Sequence, residues 1–338
     1  MADILMQYGL FLAKVMTVVI AIGIVVAMLV TLSRRERAAE RLEVKNLNKK
    51  YEQMSSILKK EVLPKKAFKE SLKTEKKRKK AAEKSAKGKD RRKVYVVNFR
   101  GDIKATAVAS LREEITAILS LAKPEDEVLL RLENAGGLVH EHGLAASQLL
   151  RIKQRKIPLT VAVDKVAASG GYMMACVADR IIAAPFAIVG SIGVLAQLPN
   201  FHRWLDSHGV DFEQFKAGEF KRTVTVFGKN TEEDRAKFKQ DIEDVHALFK
   251  EFVAENRPDI DIGRVSTGEH WYGKRALDLK LIDQLTTSDD YLLAASREAN
   301  LYEVRYVTRR TLAQTLASAL QRGGVAPTWR TGEVYESP

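Results

Sequence analysis

AASGGYMMAC, Ala167–Cys176, joins a strand-like run to an apolar run of helix length. The run before it, Leu159–Val163 (LTVAV), is β-branched and apolar, with Pro158 in front and Asp164 behind. At Ser169 the chain must turn sharply, and the two glycines that follow tolerate both unusual dihedrals and close approach. A helix then begins, with free backbone N–H groups at its start. Two roles fit Ser169 in this setting. It is an N-cap for the helix, or it is a nucleophile mounted on an α/β scaffold with N–H groups beside it.

The same strand–turn–helix unit recurs around this stretch. Val94–Phe99 (VYVVNF) reads as a strand, Ala105–Leu121 as a helix with apolar residues at helical spacing, and Glu127–Leu132 as a second strand. The turn Asn134-Ala135-Gly136-Gly137 leads into a helix over Val139–Ile152, and Arg180–Ala184 is a further strand closed by Pro185. Strands alternating with helices predict an α/β domain with parallel strands and glycine-bearing turns at the strand ends, where such folds bind ligands. Further along, Ile188–Leu195 contains VGSIGV, a strand edge to which an extended peptide could pair. A short helix is expected over Asn200–His208 and a short strand over Asp211–Phe215. Thr231–Asn256 reads as a long charged helix, opened by the capping-box-like Thr231-Glu232-Glu233-Asp234 and stopped by Pro258. Gly268–Asp283 reads as turn, helix and strand. Leu301–Pro338 has weak periodicity and a Gly/Pro-rich end, as a mobile tail would.

The chain has 338 residues and a net charge of +13. From Arg34 to Lys93 it carries 24 Lys and Arg against 9 Asp and Glu, so the basic charge belongs to this one segment. A nucleic-acid-binding core, which needs basic residues on a folded face, is excluded as a partner surface. A single cysteine, Cys176, rules out a disulfide framework and a cysteine metal site. Val15–Leu32 is free of charge and long enough to span a bilayer as one helix. Its length, Asp3 ahead of it and the lack of a small-x-small site before Arg34 set it apart from a cleaved leader. Arg34, Arg35 and Arg37 place the following end on the cytoplasmic side. Leu47, Tyr51, Met54 and Leu58 form a narrow stripe suited to a partner helix, and Lys65–Lys93 is a lysine-rich tether able to meet anionic lipid headgroups. The expected organisation is an anchor over 1–33, a basic helical or disordered tether over 34–92, a folded domain over 93–300 and an extension over 301–338.

A serine nucleophile needs a base. Of the six histidines, His140, His142, His202, His208 and His246 fall in predicted helices and His270 in a turn, positions typical of surface or packing residues. The order of triad members varies among folds, so a distant histidine stays open. The alternative is a lysine whose amine is neutral, which requires dry, apolar surroundings. Lys221 lies in FKAGEFKRTVTVF, Phe215–Phe227, among Phe220, Val224, Val226 and Phe227, with Lys216 nearby as its decoy. A lysine there can equally snorkel to solvent. Gly136-Gly137 reads as a structural turn or as an oxyanion loop.

ENAGGLV, KVAASGGYMMAC, VGSIGV, GEFKR with TEEDR after it, and GxxWxGxxAxxxxLID occur in this order. Together they resemble the signal peptide peptidase A family over roughly Lys93–Thr287, and the single span with a basic tether is similar to the short, membrane-anchored branch of it. The resemblance implies a Clp/crotonase-type spiral of repeated ββα units and peptide hydrolysis by a Ser–Lys dyad without a cofactor. Ser169 matches the nucleophile, Lys221 the general base and Ser191 a serine that orients the lysine. Gly136 and Gly137 match the oxyanion loop, with the Gly170 N–H as a second donor. Asn134-Ala135 departs from the Ser-Pro that often precedes the two glycines. Peptides and membrane lipid are the implied partners, in the bacterial inner membrane. Subunits are expected to form a homo-oligomeric ring, with the dyad formed between neighbours. The family is associated with the periplasmic side, opposite to the charge bias. A crotonase-like acyl-CoA enzyme and a non-catalytic membrane scaffold are the alternatives on the same fold.

Overall fold

The computed structural model describes residues 9, 11, 14–23, 41–85 and 91–307. The larger compact unit runs from Glu43 to Arg305. In chain order after a helix α1 over residues 14–23, its elements are β1 (Arg41–Asn46), α2 (Leu47–Val62), α3 (Lys65–Ser85), β2 (Lys93–Arg100), α4 (Val108–Leu119), β3 (Glu127–Glu133), α5 (Val139–Gln154), β4 (Leu159–Val163), β5 (Val166–Ala168), α6 (Gly170–Ala175), β6 (Arg180–Ala183), β7 (Ile188–Gly190), α7 (His202–Ser207), α8 (Glu232–Asn256), α9 (Ile262–Val265), β8 (His270–Tyr272), α10 (Gly273–Asp278), β9 (Gln284–Leu285), α11 (Ser288–Ala295) and β10 (Asn300–Val307). It is a mixed α/β fold.

The large sheet has the order β1-β10-β2-β3-β4-β6-β9, and the pairs from β10 to β9 are parallel. Its central strands are apolar on both sides because both faces are covered. On one face Val97, Phe99, Leu130, Leu132 and Val161 pack with Leu111 and Ile115 of α4, Leu149 and Ile152 of α5, and Phe249 and Val253 of α8. On the other, Val94, Val96, Leu129 and Ala162 pack with Leu47 of α2 and Leu292 of α11. A second sheet, β5-β7-β8, stands at the carboxyl ends of the large one: β4 is followed by β5 and then α6, and β6 by β7.

Several expectations change. Part of the segment read as tether is built into the domain, as β1 and α2, because Leu47 and Tyr51 pack on the sheet rather than on a partner helix. Met54 and Leu58, the rest of that stripe, are exposed. The start of the expected tail is β10, wedged between β1 and β2. Residues 308–338 lie outside the described residues. No strand forms over Asp211–Phe215, which is irregular and exposed. VGSIGV offers no free edge at 188–190, since β7 pairs with β5 on one side and β8 on the other.

The smaller unit comprises Met1–Leu42 and Tyr306–Pro338. Its α1 exposes Val15, Met16, Val18, Val19, Ile20 and Ile22. Among the described residues no helix is long and apolar enough to cross a membrane. The expected span continues to Leu32, past Gly23, outside the described residues.

Candidate active site

β5 and β7 run parallel with Ala168 opposite Gly190, so Ser169 and Ser191 are the next residues on adjoining strand ends. The Ser169 N–H donates to the Gly190 carbonyl at 2.8 Å, and the Ser191 N–H to the Glu269 carbonyl at 2.7 Å. Both serines have φ 51°, a left-handed conformation that non-glycine residues adopt only where surrounding bonds impose it. Ser169 caps α6 through its backbone, accepting the Met173 N–H at 3.0 Å, but its side chain makes no cap bond. Of the two roles open to Ser169, the side-chain N-cap is therefore not the one the geometry uses. Ser169 is half-buried, while α6 behind it is buried throughout. The Tyr172 hydroxyl donates to the Leu281 carbonyl at 2.9 Å and pins that helix to the chain after α10. Burial pushes the Cys176 thiol up to about 12, so sulfur is no rival nucleophile at neutral pH.

The turn after β3 is laced to this stretch. The Asn134 N–H donates to the Val166 carbonyl at 2.9 Å, and the Ala168 N–H to the Asn134 carbonyl at 3.0 Å. Gly136, with φ 96°, lies against the serine: a Cβ there would stand 2.7 Å from the Ser169 Cβ and 2.9 Å from the Gly170 nitrogen. Only glycine fits. Gly137 lies against the backbone of Ile103, whose carbonyl accepts the Leu138 N–H at 2.9 Å. The neighbouring Asp102 accepts from the Thr106 N–H at 2.8 Å, and that bond holds its carboxyl below the usual range. The Gly136 N–H is taken by Asn134 Oδ1 at 2.7 Å. Among the described residues the N–H groups of Gly137 and Gly170 have no partner. Two free donors beside a serine hydroxyl are what a tetrahedral oxyanion requires.

Lys221 lies on the chain between α7 and α8. It is exposed, in an irregular segment, and its N–H donates to the Gly218 carbonyl at 3.2 Å. Among the described residues no hydrogen bond joins it to Ser169 or Ser191. Lys216 is exposed as well. The surrounding residues 195–230 form an arm held by its own contacts. Phe227 lies 6.2 Å from Phe201 and 5.8 Å from Phe212 between ring centroids, and Asn200 Nδ2 donates to the carbonyls of Thr225 and Gly228. Phe220 sits under the Lys237 ammonium of α8 at 5.5 Å. The arm leaves Leu195, Trp204, Phe215 and Phe220 exposed.

Sequence reasoning passed over two residues that the structure puts under the site. Asn134 registers in the sequence only as an unusual residue two places before Gly136, a spacing that suits an Asx turn. His142 looks like any helical histidine, yet it is fully buried with its ring against Gly170.

Ser169, half-buried in a left-handed turn against Gly136, makes no side-chain cap bond, and the N–H of the next residue, Gly170, has no partner among the described residues. Residues 3–149 match the family model described as peptidase family S49 N-terminal, and residues 151–302 match peptidase family S49. The chain is 50% identical to Probable protease SohB of Haemophilus influenzae over 92% of its own length and 91% of that protein's. It is 43% identical to Probable protease SohB of Buchnera aphidicola from Acyrthosiphon pisum over 94% of both. Among solved structures, a membrane-bound stomatin-specific protease with a substrate peptide matches at TM-score 0.44 and 15% identity, covering 69% of this chain and 99% of that one. The chain belongs to peptidase family S49. It is a serine peptidase.

Proposed function

We propose that this peptidase is a membrane-anchored serine endopeptidase working through a Ser169–Lys221 dyad on signal-peptide remnants or other membrane-proximal peptides. The observation that carries the reading is the free Ser169 side chain beside the unpartnered Gly137 and Gly170 N–H groups. Ser169 Oγ attacks the scissile carbonyl carbon while the neutral Lys221 amine takes the hydroxyl proton. The carbonyl oxygen becomes an oxyanion held by the loop of Gly136 and Gly137 and by the Gly170 N–H. Collapse breaks the C–N bond, and the Lys221 ammonium returns the proton to the leaving amine. Water, deprotonated by the same amine, then releases the acyl group from Ser169. Ser191, one strand over, orients the amine.

Lys221 is exposed in this chain, so the dyad needs a neighbour to cover it. The apolar arm that carries it supports a ring in which Lys221 of one subunit enters the Ser169 site of the next. The alternation of β4, β5 and α6 between two sheets supports the spiral of ββα units found in Clp/crotonase-type folds. The charge-free run Val15–Leu32 and the lysines of α3 support an anchor in the bacterial inner membrane and contact with anionic lipid.

The test uses the full-length protein in detergent. A fluorophosphonate probe is expected to label Ser169, and Ser169→Ala is expected to lose both labelling and peptide hydrolysis while keeping its circular dichroism. Full hydrolysis by purified Ser169→Ala would remove the serine from the chemistry.

A further inference from the structure

His142 sits in the first turn of α5, fully buried, and the mechanism above gives it no task. Its ring is packed on Gly170 so closely that any Cβ there would overlap it. Its Nε2 lies 3.3 Å from Asn134 Oδ1, and its Nδ1 lies 2.9 Å from the Leu138 carbonyl. Asn134, itself buried, is oriented by its other contacts. Oδ1 accepts the Gly136 N–H at 2.7 Å, while Nδ2 faces the Met174 sulfur at 3.7 Å. Both ring nitrogens face acceptor oxygens, Asn134 Oδ1 and the Leu138 carbonyl, so a neutral imidazole donates to only one of them, and donation to Asn134 takes the tautomer with the proton on Nε2, leaving the Leu138 carbonyl without that donor. One imidazole thus touches both halves of the oxyanion site, Gly170 by packing and the glycine loop through a carboxamide.

The geometry points to His142 as a positioning residue for the oxyanion site, acting through Asn134. The carboxamide takes the Gly136 N–H into an Asx turn, which leaves the Gly137 N–H, with that of Gly170, as the pair facing the reacting carbonyl. His142 Nε2–H keeps the carboxamide from rotating, and the ring sets how near Gly170 comes to the loop. This role rests on Ser169 being the nucleophile.

The experiment measures kcat and KM on a fluorogenic apolar peptide, and the affinity for a peptide aldehyde whose adduct with Ser169 carries the tetrahedral oxygen. It uses full-length wild type, His142→Ala, His142→Gln, Asn134→Ala and the double alanine variant. Losing an oxyanion donor outright costs roughly 10²–10³ in kcat, so a displaced one should cost about 10- to 100-fold. His142→Ala is expected to lose that factor in kcat and the same factor in aldehyde affinity, with KM unchanged. His142→Gln, which restores an N–H donor, is expected to recover most of it. The double variant is expected to fall no lower than Asn134→Ala, because the two act as one unit. Three results overturn the role while fluorophosphonate still labels wild-type Ser169. They are unchanged kcat and aldehyde affinity in His142→Ala, lost kcat with aldehyde affinity intact, and fully additive losses in the double variant. Should His142→Ala fail to fold, His142→Gln decides, since without recovery of the aldehyde affinity the role falls. Absence of labelling at wild-type Ser169 would instead strike the site reading itself.

Discussion

At the scale of single residues, the site depends on conformations that side chains ordinarily avoid. Ser169 and Ser191 share φ 51° because each is held by a backbone bond to the next strand, Ser169 to Gly190 and Ser191 to Glu269. At Ser169 this conformation goes with a side chain that makes no cap bond to α6 and a Cβ packed against Gly136. The lysine, by contrast, is exposed among the described residues. Lys221→Arg should match Ser169→Ala in inactivity, because guanidinium stays charged, and Lys216→Arg should keep near-normal turnover. Rates of peptide hydrolysis measured on these variants beside wild type check both statements. Normal turnover by Lys221→Arg would put the base elsewhere.

Among the elements, α2 shows how a charged stretch becomes part of a core. It is rich in lysine, yet Leu47 is buried on the sheet and Tyr51 packs beside it. Asn48 completes the docking: Nδ2 donates to the carbonyls of Ser296 and Ala299 at 3.0 Å each, and Oδ1 accepts the Leu301 N–H at 2.7 Å. These bonds tie α2 to the end of α11 and the start of β10. Asn48→Ala leaves three partly buried backbone groups without that partner, a loss of roughly 1–3 kcal/mol. Urea unfolding of full-length protein in detergent should show the midpoint lowered accordingly, with the peptidase rate unchanged under native conditions. An unchanged midpoint would mean that α2 merely rests on the domain. α8, by contrast, starts with the capping box expected for it, Thr231 and Asp234 bonding reciprocally.

For the whole molecule, the arm and the site belong to different surroundings. The arm exposes apolar side chains and carries Lys221, whereas Ser169 sits among buried elements. The closed heterologous ring proposed above would satisfy both. Ser169→Ala and Lys221→Ala proteins should each be inactive alone. Mixed at random in equal amounts within one ring, about a quarter of the interfaces would join an intact serine to an intact lysine, and activity should return on that scale. Verified mixed oligomers as inactive as their parents would place the dyad within one chain.

The α/β class, the main strands and the serine turn were legible in the sequence because they rest on local rules. LTVAV reads as a strand and the serine with two glycines as a tight turn before a helix, whereas the short β5 between them, in the second sheet, has no local signal. The capping box of α8 and the glycine pair after β3 are local in the same sense. What escaped depends on partners far along the chain. β10 pairs with β2 across about two hundred residues, and β1 is added outside it, so neither short strand has a periodic signal of its own. VGSIGV looked like an open edge until β8, some eighty residues later, covered it. His142 carried no mark in the sequence, since a histidine on a helix is ordinary until the fold lays it against Gly170 and Asn134. Local dihedral and burial preferences are written residue by residue, whereas which buried groups meet is decided only when the sheet closes over them.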